Sequence, residues 1–130
     1  MANPNIVNVQ GINGNTAFVI PSSSSATVLL ANAANSANVY KIGLVSVTNQ
    51  ASTAQTASVS IYTNGSQAAN SSPAGGVTYP IINQISIPAN ASLVVTDKTA
   101  PFYLSENQSI VVTSAYANQL CFVTSYEQIF

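Results

Sequence analysis

Few side chains in this sequence could carry out chemistry. The 130 residues contain no histidine and three acidic side chains, Asp97, Glu106 and Glu127. Without histidine, neither a Ser-His-Asp nor a Cys-His catalytic arrangement can form, and the usual ligands of a zinc site are missing. Glycosidases need two carboxyl groups that flank one cleft, and calcium needs several clustered carboxylates. Asp97 and Glu106 instead lie in two separate turns, DKTAP and SENQ. We therefore predict that the protein is not an enzyme and has no catalytic residue, cofactor or metal site.

The other reactive residue types favour structural roles. Cys121 is the only cysteine, so an internal disulfide cannot form. Its position in the apolar run LCFV predicts a small buried side chain rather than a reactive thiol. The GING motif at residues 11–14 is followed by neither a helical pattern nor a lysine, so it does not match a phosphate-binding loop. The serine run at residues 22–25 has no activating base in its neighbourhood.

The composition of the chain points to association. Charged residues form 4% of the sequence, where about 25% is usual. Hydrophobic residues form 47%, and the mean hydropathy is +0.30, so the chain can bury enough apolar surface to fold. A net charge of -1 gives little electrostatic repulsion between copies. We therefore predict a domain that contacts copies of itself or a partner protein.

The same shortage of charge argues against several classes of partner. Two lysines, Lys41 and Lys98, cannot neutralise several phosphates or attract anionic lipid headgroups. We predict no nucleic-acid binding and no membrane binding, since no segment approaches the roughly 20 apolar residues of a membrane helix. The opening MANPNIVNVQ lacks the basic and hydrophobic regions of a signal peptide, so we expect synthesis in a cytoplasm. Four N-x-S/T sequons are then by-products of an Asn- and Ser-rich chain, at Asn64, Asn70, Asn90 and Asn107.

Short runs of alternating apolar and polar residues dominate the chain. In Thr56–Thr63, TASVSIYT, Ala57, Val59 and Ile61 share one face, which is the period of a half-buried strand. Turn sequences such as PANA, SENQ and AYANQ separate the runs, and GINGN also reads as a turn. We predict one antiparallel all-β domain over residues 1–130, either a β-sandwich or a jelly roll. The other predicted strands are Ile6–Val9, Thr16–Ile20, Ala26–Leu30, Val39–Thr48, Ile81–Ile87, Leu93–Thr96, Phe102–Leu104, Ile110–Thr113 and Leu120–Tyr126.

Two segments depart from this pattern. Val39–Thr48 carries apolar residues on both faces, which predicts a strand covered on both sides, and Gly43 in its interior indicates a bulge or a close backbone approach. Asn64–Thr78 is a long Gly-, Ala- and Ser-rich loop. Loops of this length are uncommon unless they are functional or mobile. Both a flexible surface excursion and a contact arm to a neighbouring subunit remain open.

The candidate intersubunit contacts lie in the two terminal segments and among the tyrosines. Proteins usually block free strand edges, often with charged side chains. Two terminal segments have few charges, namely an N-terminal arm over residues 1–10 and a C-terminal tail over Glu127–Phe130. Tyrosine suits a half-buried face or an interface because its ring is apolar and its hydroxyl is polar. The predicted contact residues are Ile6, Val7, Val9, Tyr40, Tyr62, Tyr116, Tyr126, Ile129 and Phe130.

The C-terminal third of the chain resembles small virion structural proteins of tailed bacteriophages, especially phages of cyanobacteria. The matching residues are PANAS at 88–92, PFYL at 101–104 with Glu106, the alternating strand at 109–118, and SYE at 125–127. The resemblance covers about Ile87–Phe130 and is a pattern of turns and strands. It implies a β-sandwich protein fixed to the virion, in many cases as a trimer.

The resemblance and the composition together favour a head decoration (cement) protein. Such a protein would form a homo-oligomer and bind the major capsid protein, or another virion protein, through apolar and hydrogen-bonded contacts. A tail, baseplate or fibre component is the first alternative. The second is a receptor- or glycan-binding module that uses the loop Asn64–Thr78 and nearby tyrosines.

Overall fold

A computed structural model describes residues 8–130, and this part of the chain is all-β. Every predicted strand from Thr16 onward overlaps an observed one. The strands are β1 (Ile12–Val19), β2 (Thr27–Asn32), β3 (Val39–Asn49), β4 (Gln55–Tyr62), β5 (Thr78–Ile87), β6 (Ser92–Thr96), β7 (Phe102–Leu104), β8 (Gln108–Ser114) and β9 (Leu120–Ile129).

The strands form two antiparallel sheets. Sheet A has the order β1-β9-β3-β6, with β7 also paired to β3, and sheet B has the order β2-β8-β4-β5. β6 lies opposite Val45–Thr48 and β7 lies opposite Tyr40–Ile42, so the two act as one strand interrupted by residues 97–101.

The connectivity of the strands is that of a jelly roll. β1 pairs with β9, β2 with β8, β3 with β6 and β7, and β4 with β5, so the chain forms one long antiparallel ribbon. Two further ladders, β3 with β9 and β4 with β8, roll this ribbon into the two facing sheets. The sequence predicted either a β-sandwich or a jelly roll, and the observed strand order is that of a jelly roll.

The core lies between the sheets and follows the two-residue period of the strands. In β9, Leu120, Phe122 and Thr124 are fully buried, whereas Cys121 between them is half-buried. The prediction of a buried Cys121 was wrong, because alternation places its side chain on the outer face of sheet A. The hydroxyl of Thr124 donates to the carbonyl of Leu44 at 2.9 Å, so this buried polar group is satisfied.

The bulge expected at Gly43 is confirmed. The register of β3 against β9 shifts between Ile42 and Leu44, so Gly43 is the extra residue. The shift places Ile42, Val45 and Val47 together in the core. Strict alternation along Val39–Thr48 would place Ile42 on the face opposite Val45, and the bulge instead brings both side chains into the core.

The start of the chain differs from the prediction. GINGN does not form a turn, because β1 begins at Ile12 and pairs with β9 along its whole length. Of the predicted strand Ile6–Val9, the residues before Asn8 lie outside the described part of the chain, and Asn8 and Val9 are not in a strand. An Asn-Gly pair makes a hairpin turn only when its own flanks pair with each other, and here both flanks pair with β9.

Two buried asparagines tie the sheets together at the ends of strands. The side-chain amide of Asn49, at the end of β3, donates to the carbonyls of Ile87 and Pro88 at 3.0 and 3.1 Å. It also donates to the carbonyl of Thr53 at 2.9 Å. At the end of β2, the side-chain amide of Asn32 donates to the carbonyl of Leu104 at 3.1 Å. Each bond to Ile87 or Leu104 joins one sheet to the other.

The long loop after β4 is attached to its own domain. The amide of Gly76 donates to the hydroxyl of Tyr62 at 2.8 Å, and a Cβ on Gly76 would meet the Tyr62 ring at 2.9 Å. Further along, the Asn70 amide donates to the Val28 carbonyl at 2.7 Å, and the Val28 amide donates to the Ser71 carbonyl at 2.8 Å. These bonds hold the loop on sheet B and β2, which argues against a flexible excursion, whereas a contact with a neighbouring subunit stays a prediction.

Candidate assembly interface

The edges of the two sheets are the places where another chain could add a strand. An edge strand presents unpaired N–H and C=O groups, and soluble proteins usually block such edges with proline, lysine, bulges or a covering loop. The edge strands here are β1 and the β6–β7 pair in sheet A, and β2 and β5 in sheet B.

Three of these edges are protected. On β5, Pro80 lacks an N–H, Gln84 has a φ of 52°, and the register against β4 shifts twice. On β2, the long loop covers Val28 through two backbone hydrogen bonds, and the register against β8 shifts between Val28 and Leu30. The fourth strand of sheet A is interrupted between β6 and β7.

Within residues 8–130, none of these protections lies on the β1 edge. β1 contains neither a charged residue nor a proline, and its register against β9 is continuous from Ile12 opposite Ile129 to Val19 opposite Phe122. Its apolar side chains are also open to solvent: Phe18 is 74% exposed and Ile12 is 57% exposed. Among the described strands, β1 is therefore the edge best suited to receive a partner strand.

Of the predicted terminal contacts, Ile129 and Phe130 make contacts within the chain. Ile6 and Val7 lie outside the described residues, and Val9 is half-buried. Ile129 is buried, with Ile12 and Val39 opposite it on the two neighbouring strands.

Phe130 is bonded to the start of the described chain. Its amide donates to the Gly11 carbonyl at 3.1 Å, and the Gly11 amide donates to the Phe130 carbonyl at 2.9 Å. The ring remains 39% exposed. The C-terminal strand is thus an interior strand of sheet A, flanked by β1 and β3, and its scarcity of charge is explained within one subunit.

The predicted tyrosines have three different environments. Tyr40 and Tyr126 pack against each other with ring centroids 5.0 Å apart, and both are half-buried against the core. Burial raises the pKa of each phenol, and the pKa of Tyr40 is raised further by the nearby Tyr126. Tyr62 is buried under its own loop. Tyr116, at the turn between β8 and β9, is 65% exposed and is the tyrosine of this set with the most surface to offer a neighbour.

The sequence interpretation missed the residues of the β1 edge. Ile12 was assigned to a turn, and Phe18 was assigned to a strand but not to an interface. Neither position has a local signal, because an edge differs from an interior strand only in its pairing partners. The one clue in the sequence was that none of the eight residues of β1 is charged or a proline.

Other kinds of site find no support in residues 8–130. Within that range, no three or more His, Cys, Asp or Glu side chains are grouped so that they could hold a metal ion. The described residues also include no helix long and apolar enough to cross a membrane. A scan against protein-family models and a search of curated proteins found no match to this chain.

Proposed function

We propose that this chain is a non-enzymatic structural protein of a virus particle. It acts as a decoration (cement) protein that binds the outer capsid lattice, as a homo-oligomer, and stabilises the shell through apolar and hydrogen-bonded contacts. The partners are other copies of the chain and the major capsid protein. The single observation that supports this proposal best is the β1 edge, which is regular, uncharged and exposed.

An unblocked edge can pair with the strand of another chain, which monomeric proteins usually prevent. The β1 edge therefore favours a protein that assembles. Its exposed side chains continue past the strand, since Ile20 is 44% exposed. A second strand laid along β1 would bond the free N–H and C=O groups and cover Phe18. Jelly rolls occur in viral capsid domains and also in lectins, so the fold supports the proposal only by analogy.

A lysine placed on the β1 edge tests the proposal. In Thr16→Lys the ammonium group must be buried or displaced when a partner strand docks, so attachment to particles should fall at least about tenfold. Thr78→Lys is the matched control, because Thr78 is also an exposed threonine and lies on the already protected β5 edge. Equal attachment by both variants would contradict the proposal.

The ionic-strength dependence of attachment separates apolar binding from charge-mediated binding. At about 1 M salt the Debye length is only about 3 Å, so contacts between exposed charges are screened. With five charged residues in the chain, attachment should survive this salt concentration. Release of the protein from purified particles at about 1 M salt would contradict the apolar mode of binding.

Counting copies distinguishes the head from the tail. A decoration protein is expected in hundreds of copies per particle, whereas a tail, baseplate or fibre component is present in far fewer. Quantitative mass spectrometry against the major capsid protein measures this ratio. The glycan alternative at the loop Asn64–Thr78 has less support, because that loop is bonded to sheet B and Tyr62 is buried beneath it.

A further inference from the structure

A cleft on the outer face of sheet A gathers most of the charge of this protein. It has a volume of about 290 Å³ and is lined by Lys41, Lys98 and Glu127, together with Ser125 and Tyr126. The chain has only two cationic side chains, and both line this one cleft. Three of its five charged residues therefore meet in one place.

The local balance of charge in the cleft is positive. Lys41 lies directly opposite Glu127 in the β3–β9 ladder, and Lys98 comes from the loop between β6 and β7. Two ammonium groups and one carboxylate leave one positive charge in excess. Asp97, next to Lys98, has its carboxylate held in its own turn, because it accepts from the amide and hydroxyl of Thr99, which lowers its pKa.

Two glycines leave the cleft open. A Cβ on Gly14 would have no heavy atom within 4 Å, and a Cβ on Gly43 would meet only the Ser125 carbonyl oxygen at 3.8 Å. Neither position needs glycine to avoid a clash. Glycine at these two positions therefore leaves space above sheet A, between β1 and β3, although the packing there would also accept a Cβ.

We propose that this cleft binds a carboxylate group carried by a sugar-sized polar ligand, such as a uronic acid. The lysines would contact the carboxylate, since hydrogen bonds between ions are stronger than those between neutral groups. Ser125 and Glu127 supply a hydroxyl and a carboxylate that can bond ligand hydroxyls. The volume suits one sugar ring with its carboxylate. This site is independent of the proposed role in a virus particle.

Binding is tested by titrating the protein with glucuronate and with glucose while nuclear magnetic resonance shifts are recorded. Glucuronate should shift the signals of the cleft residues at concentrations at which neutral glucose does not. Lys41→Gln and Lys98→Gln should each weaken binding at least about threefold, and Glu127→Gln should tighten it by a similar factor because a like charge is removed. Glu106→Gln, which makes the same change in net charge elsewhere, should leave the affinity unchanged.

The glycines provide a test that alters no charge. Gly14→Val should abolish glucuronate binding by filling the cleft, while the midpoint of chemical denaturation stays the same as that of the parent protein. Equal responses to glucuronate and glucose, or lysine variants that bind as well as the parent, would overturn the proposal. Acetate that binds as tightly as glucuronate would overturn the assignment to a sugar-sized ligand. None of these outcomes depends on attachment to particles.

Discussion

At the scale of single residues, asparagine does much of the structural work in this protein. Among the described residues, five asparagines adopt a positive φ, and the sequon residues Asn70, Asn90 and Asn107 are among them. Asparagine reaches this left-handed region more readily than other residues with a Cβ. The fourth sequon residue, Asn64, accepts from the amide and hydroxyl of Ser66 and donates to the Ala74 carbonyl. The sequons therefore coincide with turn positions that this fold requires.

Asn49→Ala should be the more damaging of two asparagine substitutions. It removes the amide that bonds the carbonyls of Thr53, Ile87 and Pro88 and leaves buried acceptors without a partner. We expect a loss of about 3 kcal/mol in the free energy of unfolding, measured by chemical denaturation. The exposed Asn13→Ala on β1 is the control and should change it by less than about 0.5 kcal/mol. A small effect of Asn49→Ala would show that this link between the sheets contributes little.

The Tyr40–Tyr126 pair predicts a loss of stability in alkaline solution. Burial raises the pKa of Tyr126 above its ordinary value of 10.0, so the unfolded chain loses this proton at a lower pH than the folded protein. The folded state then binds more protons than the unfolded state, and the free energy of unfolding falls as the pH rises above 10.0.

Tyr126→Phe tests this assignment because it keeps the ring and removes the titrating hydroxyl. The variant should lose less stability above pH 10.0 than the parent, while the two agree within about 0.5 kcal/mol at neutral pH. Denaturant melts at a series of pH values measure the difference. Parallel curves for the two proteins would mean that Tyr126 is not the group responsible.

At the scale of elements, the long loop is part of the sandwich rather than an appendage. Gly65 lies where a Cβ would come within 2.1 Å of the Asn32 carbonyl oxygen, and its amide donates to the Asn107 side chain at 3.1 Å. The loop then reaches Tyr62 and the edge of β2. Its glycine-rich composition therefore reflects close backbone packing.

Gly65→Ala should detach this loop. A contact of 2.1 Å with backbone forces the loop or the end of β2 to move, and we expect a cost of about 2 kcal/mol together with faster proteolysis within residues 64–77. Gly14→Ala is the matched control, since its Cβ would meet nothing within 4 Å. If both variants were cleaved at the same rate as the parent, the close packing of Gly65 would not be what holds the loop.

At the scale of the whole molecule, exposed apolar side chains combine with a nearly uncharged surface. Phe18 is 74% exposed on the unprotected β1 edge. Burial of such a ring between subunits is favourable, and little electrostatic repulsion opposes it. The free protein should therefore associate reversibly as its concentration rises.

Phe18→Ser should weaken this self-association without unfolding the subunit. Because the ring is mostly exposed, we expect a change in the free energy of unfolding of less than about 0.5 kcal/mol and at least a tenfold weaker association constant. Sedimentation velocity over a range of concentrations measures the association. Val77→Ser, which alters a side chain 56% exposed at the end of the long loop, is the control and should associate like the parent. A parent protein that stays monomeric at high concentration would contradict self-association.

The sequence by itself determined the local structure of this protein. Alternation located the strands, turn residues located most of their ends, and Gly43 marked the bulge in β3, because each of these signals acts over a few neighbouring residues. The scarcity of charge was likewise visible without a structure.

Only the tertiary structure decided which strands lie at the edges and which surfaces remain open. β1 pairs with β9 from the opposite end of the chain, and no local pattern records such a partner. That pairing makes β9 an interior strand, turns the supposed GINGN turn into part of β1, and leaves β1 as the exposed edge. The cleft arose in the same way, since Lys41 and Lys98 are distant in sequence and meet only because β3 pairs with both β9 and the β6–β7 strand. Edges and clefts depend on long-range pairing, whereas strands and turns depend on near neighbours.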